Sequence, residues 1–216
     1  LVGFGNILEA VRQADGIPMV YASSSSVYGA NDKLPFSERD RVDQPMSLYA
    51  ATKRSNELMA YSYAHLYRLP LVGLRFFTVY GPRQRPEMAI HRFARKLLRG
   101  ESLPVYGDGA SSRDYTYVGD IVEGIVSAVD KPTDFAVVNL GNQSPVRLDA
   151  LVAAIGQAVD RVPVIERLPN QPGDVPMTWA DTTRAEALLG YAPSTPLEEG
   201  LARFVEWLSA EVEAGR

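Results

Sequence analysis

The chain has no cysteine and only two histidines, His65 and His91. Disulfides and thiolate metal centres are therefore excluded, and a His-rich metal site has too few ligands. It also lacks any strong excess of one charge. Its 22 basic and 26 acidic residues leave a net charge of −4, scattered along the sequence. The basic face that nucleic-acid binding needs is missing. No apolar run reaches the roughly 20 residues of a membrane-spanning helix, and there are no repeats or low-complexity tracts. What remains is the composition of a globular chain, 46% hydrophobic and 22% charged over 216 residues, which is enough for one sizeable core. A cytoplasmic location is the default expectation.

The opening Leu1-Val-Gly-Phe-Gly-Asn-Ile-Leu-Glu carries Val2, Leu8 and Val11 at helical spacing and feeds into a strand at 18–23. A chain that opens inside a helix, without an initiator methionine, is expected to be a fragment. Residues 29–47 read as a loop. Ser47 is an expected N-cap for a helix over 48–67. Strands are expected at 71–77, 103–106, 136–140 and 162–167, and helices at 88–98, 118–129 and 148–159. Asp181 is expected to cap a short helix that ends at Gly190. Thr195-Pro196-Leu197-Glu198 is a capping box with proline at the first helical position. Alternating strands and helices predict an α/β fold with a parallel sheet, and a second lobe on the sheet's carboxyl edge.

Chemistry is concentrated in Tyr49-Ala-Ala-Thr-Lys53, preceded by Ser23-Ser24-Ser25-Ser26. A tyrosine and a lysine four apart share one helix face. The lysine ammonium stabilises the tyrosine phenolate, and a hydroxyl delivered by the preceding strand can hold a substrate oxygen. These three groups suffice to take a proton from a sugar alcohol while its carbon gives up a hydride. Without other context, the pair could equally be a surface Tyr and Lys on an amphipathic helix.

Tyr-x-x-x-Lys with an upstream serine resembles the short-chain dehydrogenase/reductase superfamily. The string Tyr21-Ala-Ser-Ser-Ser-Ser-Val-Tyr28-Gly29 resembles its extended branch, the nucleotide-sugar epimerases and dehydratases. The likeness continues through Leu74-Arg-Phe-Phe-Thr-Val-Tyr-Gly-Pro82, Ser112-Arg-Asp-Tyr-Thr-Tyr-Val118 and Gln171-Pro-Gly-Asp-Val175. Within the branch, the opening segment, the Phe-Phe-Thr-Val-Tyr-Gly-Pro string and Arg85-Pro-Glu-Met88 are most similar to the UDP-glucuronate 4-epimerase family. One departure is large. The Gly-rich turn that cradles the cofactor pyrophosphate in that family is not in this sequence, because Gly3-Phe-Gly5 lacks the third glycine and sits in a helix. By the family's layout, about 100 residues covering the first βαβαβ half are missing.

The resemblance implies a partial Rossmann-like doubly wound sheet. Residues 1–81 would form the second half of an NAD-binding domain, and 82–216 mainly a UDP-sugar lobe, with 111–142 returning to the sheet. It also implies roles. Tyr49 would be the base and Lys53 its partner, the latter also meeting the nicotinamide ribose. Ser24, four residues before Tyr28, would be the third catalytic hydroxyl. Ser23 and Phe76 would lie at the NAD cofactor, although Phe76 could equally be core and Ser23 could satisfy local backbone groups. Ser25 and Ser26 would contact substrate. Thr78 and Arg85 would face a carbon-5 carboxylate, with a solvated loop charge as the alternative for Arg85 and a surface position for Arg83. The backbone of Pro104, Val105 and Tyr106 would meet the uracil, Arg113 the diphosphate, and Asp174 the UDP loop, where relatives' second arginine is replaced by Gln171. Asn6 would lie near the active site or end a helix as a buried polar group. His65 reads as a surface residue; Trp179 and Trp207 read as packing residues. Leu58, Tyr61, Ala64 and Leu66 permit the superfamily's homodimer.

The activity implied is NAD-dependent 4-epimerisation of UDP-glucuronate through a 4-keto intermediate. The alternatives are UDP-glucose epimerisation, UDP-glucuronate decarboxylation, or a silent UDP-sugar-binding fragment. A 4,6-dehydratase is disfavoured because the serine run lacks an Asp-Glu pair. The 216 residues alone are expected not to turn over.

Overall fold

A strand buried on both faces must be apolar at successive positions, and Leu71–Phe76 (β2) meets that demand except at Arg75. In the computed structural model, which describes residues 1–169 and 175–213, β2 is the central strand of a three-stranded parallel sheet. It lies between Met19–Ser24 (β1) and Phe135–Leu140 (β6), with Met19 opposite Leu71 and Leu71 opposite Phe135. Val2–Gln13 (α1) and Leu48–Tyr67 (α2) cover one face through Leu8, Val11, Ala60 and Ala64. Ser47 caps α2, its hydroxyl accepting from Ala50 N at 3.1 Å. The other face holds Val118–Asp130 (α4) and Thr183–Leu189 (α6), packed on Val72, Leu74, Val138 and Leu140. The fold is α/β with parallel sheets, as expected.

Beyond β2 the chain turns at Phe77 into Thr78–Tyr80 (β3). This strand pairs parallel with Ser112–Tyr117 (β5), which pairs antiparallel with Pro145–Arg147 (β7). None of these three was read from the sequence. Ala89–Leu98 (α3) leads into Leu103–Tyr106 (β4), which pairs with Ile165–Leu168 (β8). The strand expected at 162–167 is thus shorter and begins after Pro163, which has no N–H to give a ladder. Leu148–Val159 (α5) and Leu197–Glu213 (α7) pack with α3 around Phe93, Leu97, Ile155 and Phe204. The Thr195 hydroxyl donates to Asp120 at 3.1 Å, so this residue ties the start of α7 to α4. Asp181 accepts from Thr183 N at 3.0 Å at the start of α6. The loop expected over 29–47 is stitched to the segment before α6, with Phe36 bridging Ala180 and stacking on Tyr28 at 4.6 Å.

No helix among the described residues is long and apolar enough to cross a membrane, and none of their His, Asp or Glu side chains cluster as a metal site would require. Phe204 is fully buried at the centre of the second core. Phe204→Ala should cost about 3–5 kcal/mol, read as a lower urea midpoint without a changed slope.

Candidate active site

β1 ends at the carboxyl edge of the parallel sheet, where α/β folds bind ligands. There the serine run leaves the strand as a 3₁₀ turn over Ser25–Tyr28. Ser24 caps that turn. Its hydroxyl accepts from Ser26 N at 3.2 Å and lies 3.1 Å from Ser26 Oγ. Gly29 closes the turn at φ 58°, and a Cβ there would run into the Gln44 carbonyl. The left-handed conformation and the contact both require glycine.

Tyr49 is the second residue of α2 and 55% exposed, so its phenol faces open space. Lys53 follows one turn later. Its Nζ donates to the Ala22 carbonyl at 3.0 Å and lies 5.8 Å from the centre of the Tyr49 ring. An ammonium carries three donors, and one bond to Ala22 leaves others for a ligand.

A cavity of about 410 Å³ brings together Ser23 to Ser26, Tyr49, Lys53, Phe76, Thr78 and Arg85. Phe76 is half-buried at the end of β2 and lines this space. Arg85 is largely exposed and 3.4 Å from Glu87. Thr78 also lines two neighbouring cavities. One, of about 300 Å³, holds Pro104, Tyr106 and Arg113. The other, of about 290 Å³, holds Ser25, Ser26, Arg113 and Thr178. The three adjoin at Thr78 and together line a cleft region that includes Tyr49 in the first cavity and Tyr106 in the second. Arg113 is half-buried there, with Nη1 donating to the Ser112 carbonyl at 2.8 Å.

Val105 turns away from the cleft, and the Ser23 hydroxyl, although Ser23 lines the cavity, is engaged by Glu57. Val105 is buried in the second core. Leu103 N and Gly107 N donate to Val164 and Leu168, so parallel alternation directs the Val105 amide and carbonyl at β8 as well. Only Pro104 and Tyr106 face the cleft. Ser23 is 2% exposed, and its hydroxyl donates to Glu57 Oε1 at 2.6 Å. Any cofactor contact from Ser23 falls to its backbone. Asp174 and Gln171 lie outside the described residues. Asn6 is exposed on α1, not a buried helix end, and Arg83 and His65 are exposed. Trp207 packs beside Phe204, and Trp179 Nε1 donates to the Gln143 carbonyl at 3.1 Å. Of the four positions expected on the outer face of α2, Leu58, Tyr61 and Leu66 are exposed but Ala64 is buried in the chain's own core.

Sequence reading missed the polar network beneath the serines. Glu57 is bound by Arg75 through two bonds of 2.8 and 2.9 Å. Burial pushes the Glu57 carboxyl up, but bonds and charge from Arg75 outweigh it and hold it below the usual carboxylate range. Burial pushes the neighbouring Tyr28 phenol up to about 12. It stays protonated and donates to Asn139 Oδ1 at 2.6 Å. The available signal was Arg75 itself, a cation in an apolar strand that demands a buried acid. Gln84 and Met88 were also missed. Both line the cleft between Thr78 and Arg113.

These residues suit the nicotinamide end of a dinucleotide. Phe76 supplies an apolar aromatic lining, Lys53 retains donors, and Tyr49 lines a cavity at the sheet's carboxyl edge.

Known proteins resemble this chain in both sequence and structure. A probable UDP-glucuronate 4-epimerase of Rhizobium meliloti is 48% identical over 226 aligned positions, covering 96% of this chain and 66% of that protein. The Bacillus cereus UDP-glucuronic acid 4-epimerase, solved with UDP-glucuronic acid and NAD, superposes with a TM-score of 0.87 at 32% identity, covering 96% of this chain and 66% of that one. The UDP-N-acetylglucosamine 4-epimerase of Methanobrevibacter ruminantium M1, solved with UDP-N-acetylmuramic acid, gives 0.93 at 29% identity, covering 98% and 69%. The chain therefore spans about two thirds of the length of these relatives. The family model for GDP-mannose 4,6 dehydratase matches residues 1–204. The chain belongs to that family of NAD-dependent epimerases and dehydratases.

Proposed function

We propose that the complete protein inverts carbon 4 of a UDP-sugar, with UDP-glucuronate as the favoured substrate and NAD as a tightly held cofactor. The observation that carries this reading is the single cavity shared by Ser24, Tyr49, Lys53, Thr78 and Arg85. NAD, when bound, supplies a hydride acceptor that is regenerated each turnover. Tyr49, as phenolate, takes the proton of the sugar 4-hydroxyl. Lys53 favours that phenolate and donates to the cofactor ribose. Ser24 orients the reacting oxygen. The sugar then swings so that hydride returns to its other face. Arg113 and Tyr106 hold the nucleotide end through this swing. The resemblance implies the same role for Asp174, which lies outside the described residues. A homodimer through α2 is supported by exposed Leu58, Tyr61 and Leu66.

The carbon-5 carboxylate sets a chemical problem. Oxidation at carbon 4 makes a β-keto acid, which loses CO₂ when the carboxylate bond stands perpendicular to the new carbonyl. Thr78 and Arg85 pin the carboxylate out of that alignment. A 4,6-dehydratase is disfavoured because Ser24-Ser-Ser-Val27 offers no acid pair to eliminate water. Product analysis tests the reading. UDP-glucuronate should give UDP-galacturonate, whereas UDP-pentose with CO₂ marks a decarboxylase and UDP-galactose from UDP-glucose alone marks the other epimerase. Arg85→Ala should lower kcat/KM for UDP-glucuronate about 100-fold through the lost charge-assisted bond. It should leave UDP-glucose within a few-fold and raise the share of UDP-pentose.

A second reading concerns these 216 residues alone. They contain no Gly-x-x-Gly-x-x-Gly turn, and on this reading they bind a UDP-sugar by themselves without turning it over. Calorimetry on it should show UDP binding and no NAD binding.

A further inference from the structure

Tyr49, Lys53 and Glu57 stand four residues apart on one face of α2. Lys53 Nζ donates to the Ala22 carbonyl at 3.0 Å, and Ser23 Oγ donates to Glu57 Oε1 at 2.6 Å. Consecutive residues of β1 are thus tied to consecutive turns of the helix that carries Tyr49. Glu57 is in turn fixed by Arg75, Nε to Oε1 at 2.8 Å and Nη2 to Oε2 at 2.9 Å, with Arg54 adding a bond of 3.0 Å. The Arg75 guanidinium also lies 4.9 Å from the centre of the Tyr28 ring, at the far end of the serine turn. One ion pair therefore reaches both ends of the run, Ser23 through its hydroxyl and Tyr28 through its ring. Both charges are buried, Glu57 at 1% and Arg75 at 2% exposure. A buried pair is weak evidence for stability, and fixing a register is its better-attested use.

We infer that the Glu57–Arg75 pair is a positioning device that sets α2 against the serine run, and so holds the Tyr49 hydroxyl in register with Ser24. The inference rests on the proposed function for what the two hydroxyls do. It adds that neither the pair nor Ser23 touches substrate, yet both govern turnover.

Ser23→Ala removes one rung and leaves the ion pair whole. In the complete gene product, kcat on UDP-glucuronate should fall about tenfold with KM within twofold, because sub-ångström misplacement of reacting groups is felt in the chemical step. The assay is run where circular dichroism shows parent and variant fully folded, so lost stability alone cannot produce the drop. Glu57→Gln, which keeps an acceptor for Ser23 but unbalances Arg75, should cost more in kcat, about 100-fold. Amide hydrogen exchange on the same proteins should show Ser23→Ala speeding exchange at 25–29 by about tenfold or more while β2 and β6 keep their protection. A Ser23→Ala kcat within twofold of the parent, with unchanged exchange at 25–29, overturns the inference. A parent that leaves UDP-glucuronate untouched overturns the proposed function instead, and the exchange result then decides the positioning role by itself.

Discussion

Tyr49→Phe in the complete gene product should lower epimerase turnover about 1,000-fold, within the range for removing a positioned acid–base group. Binding of the UDP-sugar should survive. The phenol is largely exposed at the first turn of α2 and makes no hydrogen bond that holds the fold. The phenylalanine ring keeps the same helix position and the same face toward Lys53. What disappears is one oxygen, the atom that in the proposed mechanism carries a negative charge and accepts a proton. In that mechanism the Lys53 ammonium favours the anion at that atom, and this part of its contribution to turnover disappears with the oxygen. Lys53→Met should show a comparable kcat loss and, unlike Tyr49→Phe, weaker NAD retention, because the proposed mechanism also assigns the cofactor ribose to the amine. Equal NAD retention in the two variants, measured by counting bound nucleotide after gel filtration, would leave the amine with no role beyond the phenol.

The second large effect concerns stability. Glu57→Leu should destabilise the fold by about 3–5 kcal/mol, because it leaves Arg75 charged and buried without its counter-ion. Changing both partners, Glu57→Leu with Arg75→Met, should recover most of that loss, since a well-packed apolar pair can replace a buried ion pair at little cost. Urea unfolding of the parent, the single variant and the double variant measures both numbers. Acid acts on the same pair. The folded Glu57 carboxyl lies below its ordinary value near 4.5. Its contribution is therefore present above that value and lost as the pH falls through the depressed folded value. The parent's thermal midpoint should decline over that acid window more steeply than the double variant's. The double variant should nonetheless turn over slowly, since the register between α2 and the serines is gone.

Much of the fold could be read from residues whose local chemistry and global role agree. Ser47 caps α2, and Tyr49 and Lys53 share its face because of helical geometry, whatever packs around them. β2 and β6 announce themselves as apolar runs, as both-face burial requires. The second lobe was harder to read. β5 runs Ser-Arg-Asp-Tyr-Thr-Tyr, which shows no clean alternation. Its Asp114 is buried because it accepts from the amides of Asn142, Gln143 and Ala180. Those partners lie far along the chain, so nothing local marks the position. β3 and β7 have three residues each, too short for any period. Val105 was misplaced because a motif names a segment, whereas alternation in a strand decides which of its residues faces the ligand. Glu57 looked like an ordinary surface acid on a long helix. Only the pairing of β1 with β2 brings Ser23 and Arg75 together beneath it.

The central claim is that carbon 4 loses and regains the same hydride while Tyr49 handles only the hydroxyl proton. UDP-glucuronate carrying deuterium at carbon 4, converted by the complete gene product in ordinary water and analysed by mass spectrometry and proton NMR, tests it directly. The account predicts UDP-galacturonate that keeps the deuterium at carbon 4. Product with hydrogen there, taken from solvent, would contradict it.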